Sequence, residues 1–261
     1  MDGNSKAVPP APMDARTAPA LLIALAAPCA GSFLGLIADR LPLGRGVVTG
    51  RSRCLGCERE LRWWELVPIV SWLAQRGRCR SCGCFIGWRV LAAELAALAV
   101  GMWVLLALPQ SLWLAGLVFG WSLLLLSLID LRCMLLPDRI TLPLIAAGLL
   151  AAAIVAPSRW ADHAIGAAIG FLSLTLLALL YETMRGRTGL GGGDAKLFAA
   201  IGAWVGWMGL PSALLIACCA GLGHALLKGR GRLNAAERIP FGPALALGGW
   251  IVWLHGPLSW S

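Results

Sequence analysis

Eight apolar runs, separated by short polar breaks, make up most of the chain. They cover residues 18–38, 90–108, 112–129, 140–156, 164–181, 197–208, 213–227 and 241–254. Each run is close to the roughly 20 residues that a helix needs to cross a bilayer, or somewhat shorter. This pattern predicts an all-α protein, a polytopic membrane bundle of about eight transmembrane helices.

The composition also indicates a membrane protein. Of the 261 residues, 59% are hydrophobic and 13% are charged, and a soluble domain of this length does not hide so much apolar surface. The first run continues past any plausible signal-peptide cleavage site, so we expect a retained span. Residues 1–18 are polar and rich in proline, which predicts a disordered N-terminal tail. Thirteen tryptophans are expected to mark the membrane interfaces.

The positive charges predict how the helices are oriented. Nineteen of the 22 Lys and Arg residues fall in alternate loops on one side of the bilayer, and three fall on the other. Loops rich in Lys and Arg stay in the cytoplasm. We therefore expect both termini outside, and the polar insertion 43–88 at the cytoplasmic face together with Asp130 and Asp194.

The insertion carries two Cys-x-x-Cys pairs, Cys54 with Cys57 and Cys79 with Cys82, separated by 21 residues. This spacing is typical of a tetrahedral zinc site, and four thiolate ligands leave no open position, so the predicted role is structural. Disulfides are the alternative, which a reducing cytoplasm disfavours. Cys84 is a substitute ligand candidate. The nearby arginines would suit nucleic acid, but cytoplasmic retention and anionic lipid headgroups explain them, so no nucleic-acid partner is expected.

Asp194 follows Gly191, Gly192 and Gly193 at the start of the sixth run. A charged side chain in hydrocarbon costs roughly 2.5–3.5 kcal/mol on insertion scales, so an acid in this position requires an explanation. The glycines would let another backbone approach the carboxylate closely. The alternative is that Asp194 merely caps the helix that follows.

Asp130 ends the third run, where the helix macrodipole disfavours an anion. A local pair with Arg132 is the alternative explanation, while Asp138 fits an ordinary N-cap. If Asp130 and Asp194 lie close together, they cannot both ionise cheaply and will share one proton. One then acts as a base towards water and the other polarises a carbonyl, which favours peptide hydrolysis.

Several further landmarks accompany these acids in a fixed order. They are Gly31-Ser32-Phe33-Leu34 with Arg40-Leu41-Pro42, the first cysteine pair, Val67-Pro68-Ile69-Val70-Ser71-Trp72-Leu73, the second cysteine pair, Glu94, Ile129-Asp130, Leu136-Pro137-Asp138, Gly191-Gly192-Gly193-Asp194-Ala195-Lys196-Leu197, and Ile239-Pro240-Phe241-Gly242-Pro243. In this order they resemble the type 4 prepilin peptidases, membrane aspartic proteases of bacterial inner membranes. The resemblance covers most of the chain.

The resemblance implies that Asp130 and Asp194 are the catalytic pair, supported by Gly191, Gly193 and Lys196. It also implies the substrate, which is the leader peptide of type IV prepilins or type II secretion pseudopilins. The cut falls after a glycine on the cytoplasmic side of the inner membrane.

Many members of this family then methylate the new N-terminus from S-adenosylmethionine, which the resemblance adds as a cofactor beside zinc. Glu65 and Glu94 are candidate cofactor-binding residues, without a pattern to rank them. Relatives usually carry Asn at the places that hold Gly35 and Leu66 here. We therefore expect robust cleavage and weak or absent methyl transfer.

The expected organisation has three parts: a tail at 1–18, a methyltransferase-like region at 19–108 that contains the zinc loop 43–88, and a peptidase domain at 109–261. A transporter or channel is an alternative, with Asp130 and Asp194 as an ion or proton path. A carrier would favour acids near mid-membrane and repeated halves. Both acids are predicted at one face and no internal repeat is visible, which favours the protease. A non-catalytic assembly factor that docks through the zinc loop is a third interpretation.

Overall fold

A computed structural model describes residues 16–44, 46, 52–54, 56–186, 191–228 and 240–258. Within these ranges the chain is helical, and its β-structure consists of two isolated antiparallel bridges, Arg53 with Glu60 and Arg78 with Phe85. Most of the predicted tail, residues 1–15, lies outside the described residues. Its last two residues already belong to a helix, which begins at Thr17.

The described part contains nine α-helices. They are α1 (Thr17–Arg40), α2 (Val70–Ala74), α3 (Trp88–Ala107), α4 (Trp113–Cys133), α5 (Asp138–Val155), α6 (Trp160–Arg185), α7 (Gly192–Val205), α8 (Leu210–Lys228) and α9 (Gly242–His255). Helix α2 is a five-residue element of the polar insertion. The other eight coincide with the eight predicted apolar runs, so the prediction of an all-α bundle is confirmed.

Helix length identifies six candidate membrane crossings among the described residues, namely α1, α3, α4, α5, α6 and α8 with their short extensions. Helices α7 and α9 have 14 residues each, or about 21 Å at the usual rise of about 1.5 Å per residue. The chain is a multi-pass membrane protein. The predicted count of eight crossings is not confirmed by helix length.

Helix α7 is the centre of the bundle, and it packs against α5, α6 and α9. Nine of its 14 residues are buried, so its surroundings are mostly other helices. Glycines let α6 approach it closely. A Cβ on Gly166 would lie 2.5 Å from the Gly202 carbonyl oxygen, and one on Gly170 would lie 2.6 Å from the Phe198 oxygen.

Several tryptophans lie in the core of this bundle. Trp113, Trp204 and Trp250 are each at most 5% exposed. The Trp204 ring stacks on Phe119 with 4.6 Å between ring centroids. Its Nε1–H donates to the Leu144 carbonyl at 2.9 Å. A buried indole needs such an acceptor, and the α5 backbone supplies it.

The polar insertion joins α1 to α3, and these two helices pack together beneath it. A Cβ on Gly31 would lie 2.6 Å from the Ala93 carbonyl oxygen, so α1 and α3 touch through backbone at this level. The contact brings Glu94 against α1. It also holds the two ends of the insertion side by side.

Candidate functional site

The first acid of the candidate pair, Asp130, lies near the end of α4 and is 5% exposed. Its Oδ2 accepts a hydrogen bond from the Gly242 backbone N–H at 3.0 Å. Gly242 is the first residue of α9, and the positive end of a helix dipole favours an anion there. The local pair with Arg132 is not formed, because Arg132 binds Asp39 and the Gly35 carbonyl oxygen of α1 instead.

The second acid, Asp194, is the third residue of α7 and is half-buried. The N-cap position belongs to Gly191, so the interpretation of Asp194 as a simple cap is wrong. Gly193 is required by packing, because a Cβ there would lie 2.8 Å from the Leu136 Cβ in the turn after α4. Gly191 lies next to the Asp194 carboxylate, since a Cβ added at Gly191 would be 3.4 Å from Asp194 Oδ2.

These contacts bring the two acids to the same end of the bundle. Leu136 follows α4 and touches the start of α7, while α9 packs against both helices. The two carboxyl groups are close enough to interact electrostatically. Two carboxyl groups that interact in this way share one proton more readily than they both ionise.

Lys196, the predicted supporting residue, lies two residues after Asp194 on α7. Its Nζ donates to both oxygens of Asp138, at 2.6 and 2.8 Å, and does not bind either acid of the pair. Asp138 is the first residue of α5 and caps nothing, since the N-cap is Pro137. The predicted cap is therefore wrong, and the ion pair joins the beginnings of α5 and α7.

The four cysteines predicted to bind zinc form one cluster. The Sγ atoms of Cys54, Cys57, Cys79 and Cys82 all lie within 4.8 Å of one another. Cys54 Sγ and Cys82 Sγ are 3.7 Å apart, and ligands at about 2.3 Å from a tetrahedral zinc would be separated by about 3.8 Å. The donor set and its spacing therefore fit a zinc ion. Cys84 lies outside the cluster, with its Sγ near the Phe85 carbonyl oxygen.

The two halves of this cluster have the same backbone geometry. The N–H of Cys54 donates to Arg59 and the N–H of Cys79 donates to Cys84, five residues on in each case. The fifth residue of each turn, Glu58 or Gly83, has a positive φ of 54° or 69°. Backbone N–H groups of Cys82 and Ser81 lower the pKa of the Cys79 thiol to about 6, which favours the thiolate that a metal requires.

Glu65, one candidate for cofactor binding, has a structural partner. Arg59 donates to both of its oxygens, at 2.7 and 3.1 Å, and the Arg62 backbone N–H donates at 2.8 Å. The Arg59 guanidinium, and after it the Arg62 amide, lower the pKa of Glu65 to about 2. Glu65 therefore remains ionised and ties the first cysteine pair to the rest of the loop.

Glu94, the other candidate, is 3% exposed near the start of α3. Its Oε2 accepts the Ile69 backbone N–H at 2.6 Å, and Ser32 of α1 is a further hydrogen-bond partner. Sequence reasoning did not predict the pair of Arg132 with Asp39 or the contact of Gly242 with Asp130. Gly242 was visible only as part of the landmark that opens the last run.

Comparison with known proteins agrees with these features. A model of the type IV leader peptidase family matches residues 117–226, and a model of the bacterial Peptidase A24 N-terminal domain matches residues 25–108. No solved structure matches the chain.

Similar proteins are named prepilin leader peptidase/N-methyltransferase. The one from Burkholderia pseudomallei (strain 1026b) is 42% identical over 235 residues, which cover 87% of this chain and 72% of the relative. The relative from Dichelobacter nodosus is 42% identical over 207 residues, or 78% of this chain and 71% of its own length. The relative from Pseudomonas aeruginosa is 38% identical over 253 residues, with 87% of both chains covered. This chain belongs to the type IV leader peptidase family.

Proposed function

We propose that this protein is a membrane aspartic endopeptidase that removes the leader peptide of type IV prepilins or type II secretion pseudopilins. The observation that carries the proposal is the approach of Asp130 and Asp194 at one end of the bundle, in a chain that belongs to a leader peptidase family. The proposed location is the bacterial inner membrane, with cleavage after a glycine at the cytoplasmic face. The transporter alternative gains no support from the relatives, whose names are those of enzymes.

In the proposed reaction, Asp130 and Asp194 share one proton. The ionised partner takes a proton from a water molecule, and the protonated partner donates a hydrogen bond to the scissile carbonyl. The Gly242 N–H holds the Asp130 carboxylate in place, and Gly191 and Gly193 allow the chain to pass close to Asp194. Lys196 acts at a distance by fixing α7 to α5 through Asp138.

We propose that the four cysteines hold a structural zinc ion that folds the cytoplasmic loop. In the proposed domain organisation, residues 19–108 form the methyltransferase-like region and residues 109–261 form the peptidase. The ranges matched by the two family models, 25–108 and 117–226, support this division. The ion pair and hydrogen bond of Arg132 with α1 connect the two regions.

Cleavage of a purified prepilin by the detergent-solubilised protein tests the proposed pair. We expect Asp130→Asn and Asp194→Asn to lower the cleavage rate by about 10²–10⁴-fold, the usual contribution of a positioned acid or base. Asp138→Asn is the matched control, since it removes a carboxylate nearby that is outside the pair. Inhibitors of serine and metalloproteases should leave the rate unchanged. Substantial cleavage by either Asn variant of the pair would refute the mechanism.

The relatives' names include a second activity, N-methyl transfer. We propose that this chain performs it with low efficiency. Gly35 and Leu66 cannot make the side-chain hydrogen bonds of the Asn residues usual at these places, and each such bond contributes about 0.5–1.5 kcal/mol. Mass spectrometry of the mature pilin N-terminus, formed with S-adenosylmethionine present, measures the methylated fraction. Full conversion would show that Gly35 and Leu66 do not impair the reaction.

A further inference from the structure

The cysteine loop carries an apolar surface that the described part of the chain leaves uncovered. Six of its large apolar side chains are between 39% and 76% exposed, and we call them the apolar edge. They are Trp63, Trp64, Leu66, Val67, Val70 and Leu73. The 3₁₀ turn Trp63–Leu66 and helix α2 carry most of them, and these two elements pack against each other. A contiguous exposed apolar patch of this kind indicates a binding surface.

The two elements that carry the edge each have a polar or loop-facing side and an apolar outer side. In the 3₁₀ turn, Glu65 is buried against the loop while its tryptophan and leucine neighbours are exposed. In α2, the Trp72 Nε1–H donates to the Ile86 carbonyl at 3.2 Å, which turns this ring towards the loop. Val70 and Leu73 are three residues apart and therefore share another face of α2. The apolar edge is thus the outer side of an amphipathic segment.

A hydrogen bond to a membrane helix sets the level of this edge. The Ile69 backbone N–H donates to Glu94 Oε2 at 2.6 Å. Glu94 lies six residues after Trp88, the first residue of α3, which is about 9 Å along the helix axis. Because α3 has only about the 20 residues that a span needs, its first turns already lie at the membrane boundary. The chain at Ile69 therefore returns from the loop to a level beneath the start of α3.

The backbone at Ile69 shows that this return is built into the fold. Ile69 is the N-cap of α2 and has a positive φ of 61°, which is rare for a β-branched residue. Such a conformation persists only where the surroundings hold it. The Glu94 carboxylate, 3% exposed on α3, is the acceptor that holds it. The bond anchors the start of α2 to a membrane-spanning helix.

The charges beside the apolar edge suit an anionic lipid surface. Residues 43–88 contain eight arginines and three glutamates. The Arg62 guanidinium lies 5.1 Å from the centroid of the Trp64 ring, so a cation accompanies the edge itself. Arg76 and Arg78 follow α2 and are exposed. Arginines next to tryptophan and aliphatic side chains are typical of segments that lie in the headgroup region of a membrane.

We propose that the apolar edge of the cysteine loop inserts into the adjacent leaflet of the bilayer, with the neighbouring arginines at anionic headgroups. The level of Glu94, about 9 Å beyond the start of α3, agrees with the roughly 5–10 Å to which interfacial amphipathic segments are buried. The loop is then attached to the membrane at three points, which are the end of α1, the start of α3 and the apolar edge.

Photo-cross-linking in a membrane tests this placement. The photoreactive residue p-benzoylphenylalanine replaces Leu73 in the full-length protein, which is then placed in nanodiscs of phosphatidylethanolamine and phosphatidylglycerol and illuminated. We expect the protein to gain the mass of one phospholipid, because the side chain at position 73 faces lipid. The same replacement at Val70 repeats the test on the same face of α2.

Two other positions calibrate the experiment. Leu106 is 82% exposed on the spanning helix α3 and should form lipid adducts. Arg80 is exposed between the cysteines of the second pair and should form none. Lipid adducts at Leu106 without adducts at either Leu73 or Val70 would refute the insertion.

The same variants distinguish a lipid surface from a protein partner. With a prepilin added to the nanodiscs, we expect the adducts at position 73 still to be phospholipid. Cross-links to the prepilin in place of lipid would show that the edge is a protein-docking surface, and the proposal would be wrong. Replacing phosphatidylglycerol by phosphatidylcholine should lower the adduct yield at position 73 but not at Leu106. Equal yields at position 73 in both membranes would refute the role given to the arginines.

Discussion

The carboxylate of Asp130 is held by the first amide of α9, and this contact leaves no room for a side chain at Gly242. A Cβ there would lie 2.7 Å from Asp130 Oδ2. We expect Gly242→Ala to move the carboxylate and to lower leader cleavage by about 10²-fold, as a displacement of about 1 Å in an active site can do. The measurement is the cleavage rate of the purified variant.

Gly223→Ala is the control for this substitution. Gly223 lies in α8, where an added Cβ meets nothing within 4 Å. Gly223→Ala makes the same change within a helix but creates no steric conflict. We expect this variant to cleave at the wild-type rate. A Gly242→Ala variant that cleaves at the wild-type rate would show that the Gly242 contact does not position Asp130.

The ion pair of Lys196 with Asp138 should matter much less than the catalytic pair. The two side chains are 35% and 53% exposed, and ion pairs of this exposure contribute about 0–1 kcal/mol. We expect Asp138→Asn to keep most of the cleavage activity and to lower the thermal midpoint slightly. Complete loss of cleavage in a folded Asp138→Asn protein would show that Asp138 takes part in the chemistry.

Local sequence patterns identified the acids but not all of their partners. The N-cap prediction for Asp138 used its position before an apolar run, but its partner Lys196 is 58 residues away. The partner of Asp130 is 112 residues away, at Gly242. Such contacts depend on how helices pack, which periodicity does not specify. The cluster of four cysteines was predictable because a Cys-x-x-Cys turn is local and the two turns share one geometry.

The cysteine loop is an element whose fold should depend on metal. We expect about one zinc ion per chain in the purified protein, and its loss in Ser variants of Cys54, Cys57, Cys79 or Cys82. Cys84→Ser is the matched control and should keep zinc, because Cys84 lies outside the cluster. The measurements are the metal content and protease sensitivity of the loop.

We expect zinc removal to make the loop more sensitive to protease before leader cleavage is lost. The reason is that the four thiolates take no part in the proposed chemistry of the acid pair. Stoichiometric zinc in a Cys54→Ser/Cys57→Ser double variant would contradict the ligand assignment. Rapid loss of cleavage with an intact bundle on chelation would indicate that the metal does more than fold the loop.

The contact between α6 and α7 requires glycine at the point of closest approach. Gly202 lies against the backbone of Gly166, and an added Cβ would overlap it. Overpacking of a tight core costs about 1–3 kcal/mol. We expect Gly202→Ala to lower the thermal midpoint and the yield of folded protein, whereas Gly223→Ala should leave both unchanged. A Gly202→Ala protein of wild-type stability would show that the two helices can separate without cost.

The apolar runs predicted the helices well because a long hydrophobic stretch has few alternatives in a membrane. They did not predict that α7 would be enclosed, since hydropathy alone does not distinguish lipid from protein as surroundings. Hydropathy likewise does not show which tryptophans are enclosed by protein. Trp204 belongs to α7, and the carbonyl of Leu144 on α5 accepts the hydrogen bond of its buried indole.

Across the whole molecule, Arg132 connects the Asp130 end of α4 to α1. It lies two residues after Asp130 and donates to Asp39 and to the Gly35 carbonyl oxygen. The two regions that the family models match, 25–108 and 117–226, therefore contact each other beside the proposed catalytic Asp130.

Membrane topology is a property of the whole chain, and α7 gives its most demanding test. Reporters fused after Arg53, Arg187 and Arg232 should report cytoplasm, and reporters after Gln110, Arg159 and Trp207 should report the outside, because 19 of the 22 basic residues then face the cytoplasm.

Helix α7 has 14 residues, fewer than the roughly 20 of a lipid-exposed span. Its neighbours α5, α6 and α9 surround it, so its ends need not reach the headgroups on their own. We therefore expect the reporter after Trp207 to be outside despite this length. A cytoplasmic signal there would mean that α7 turns back within the membrane, and the orientations of α8 and α9 would then be reversed.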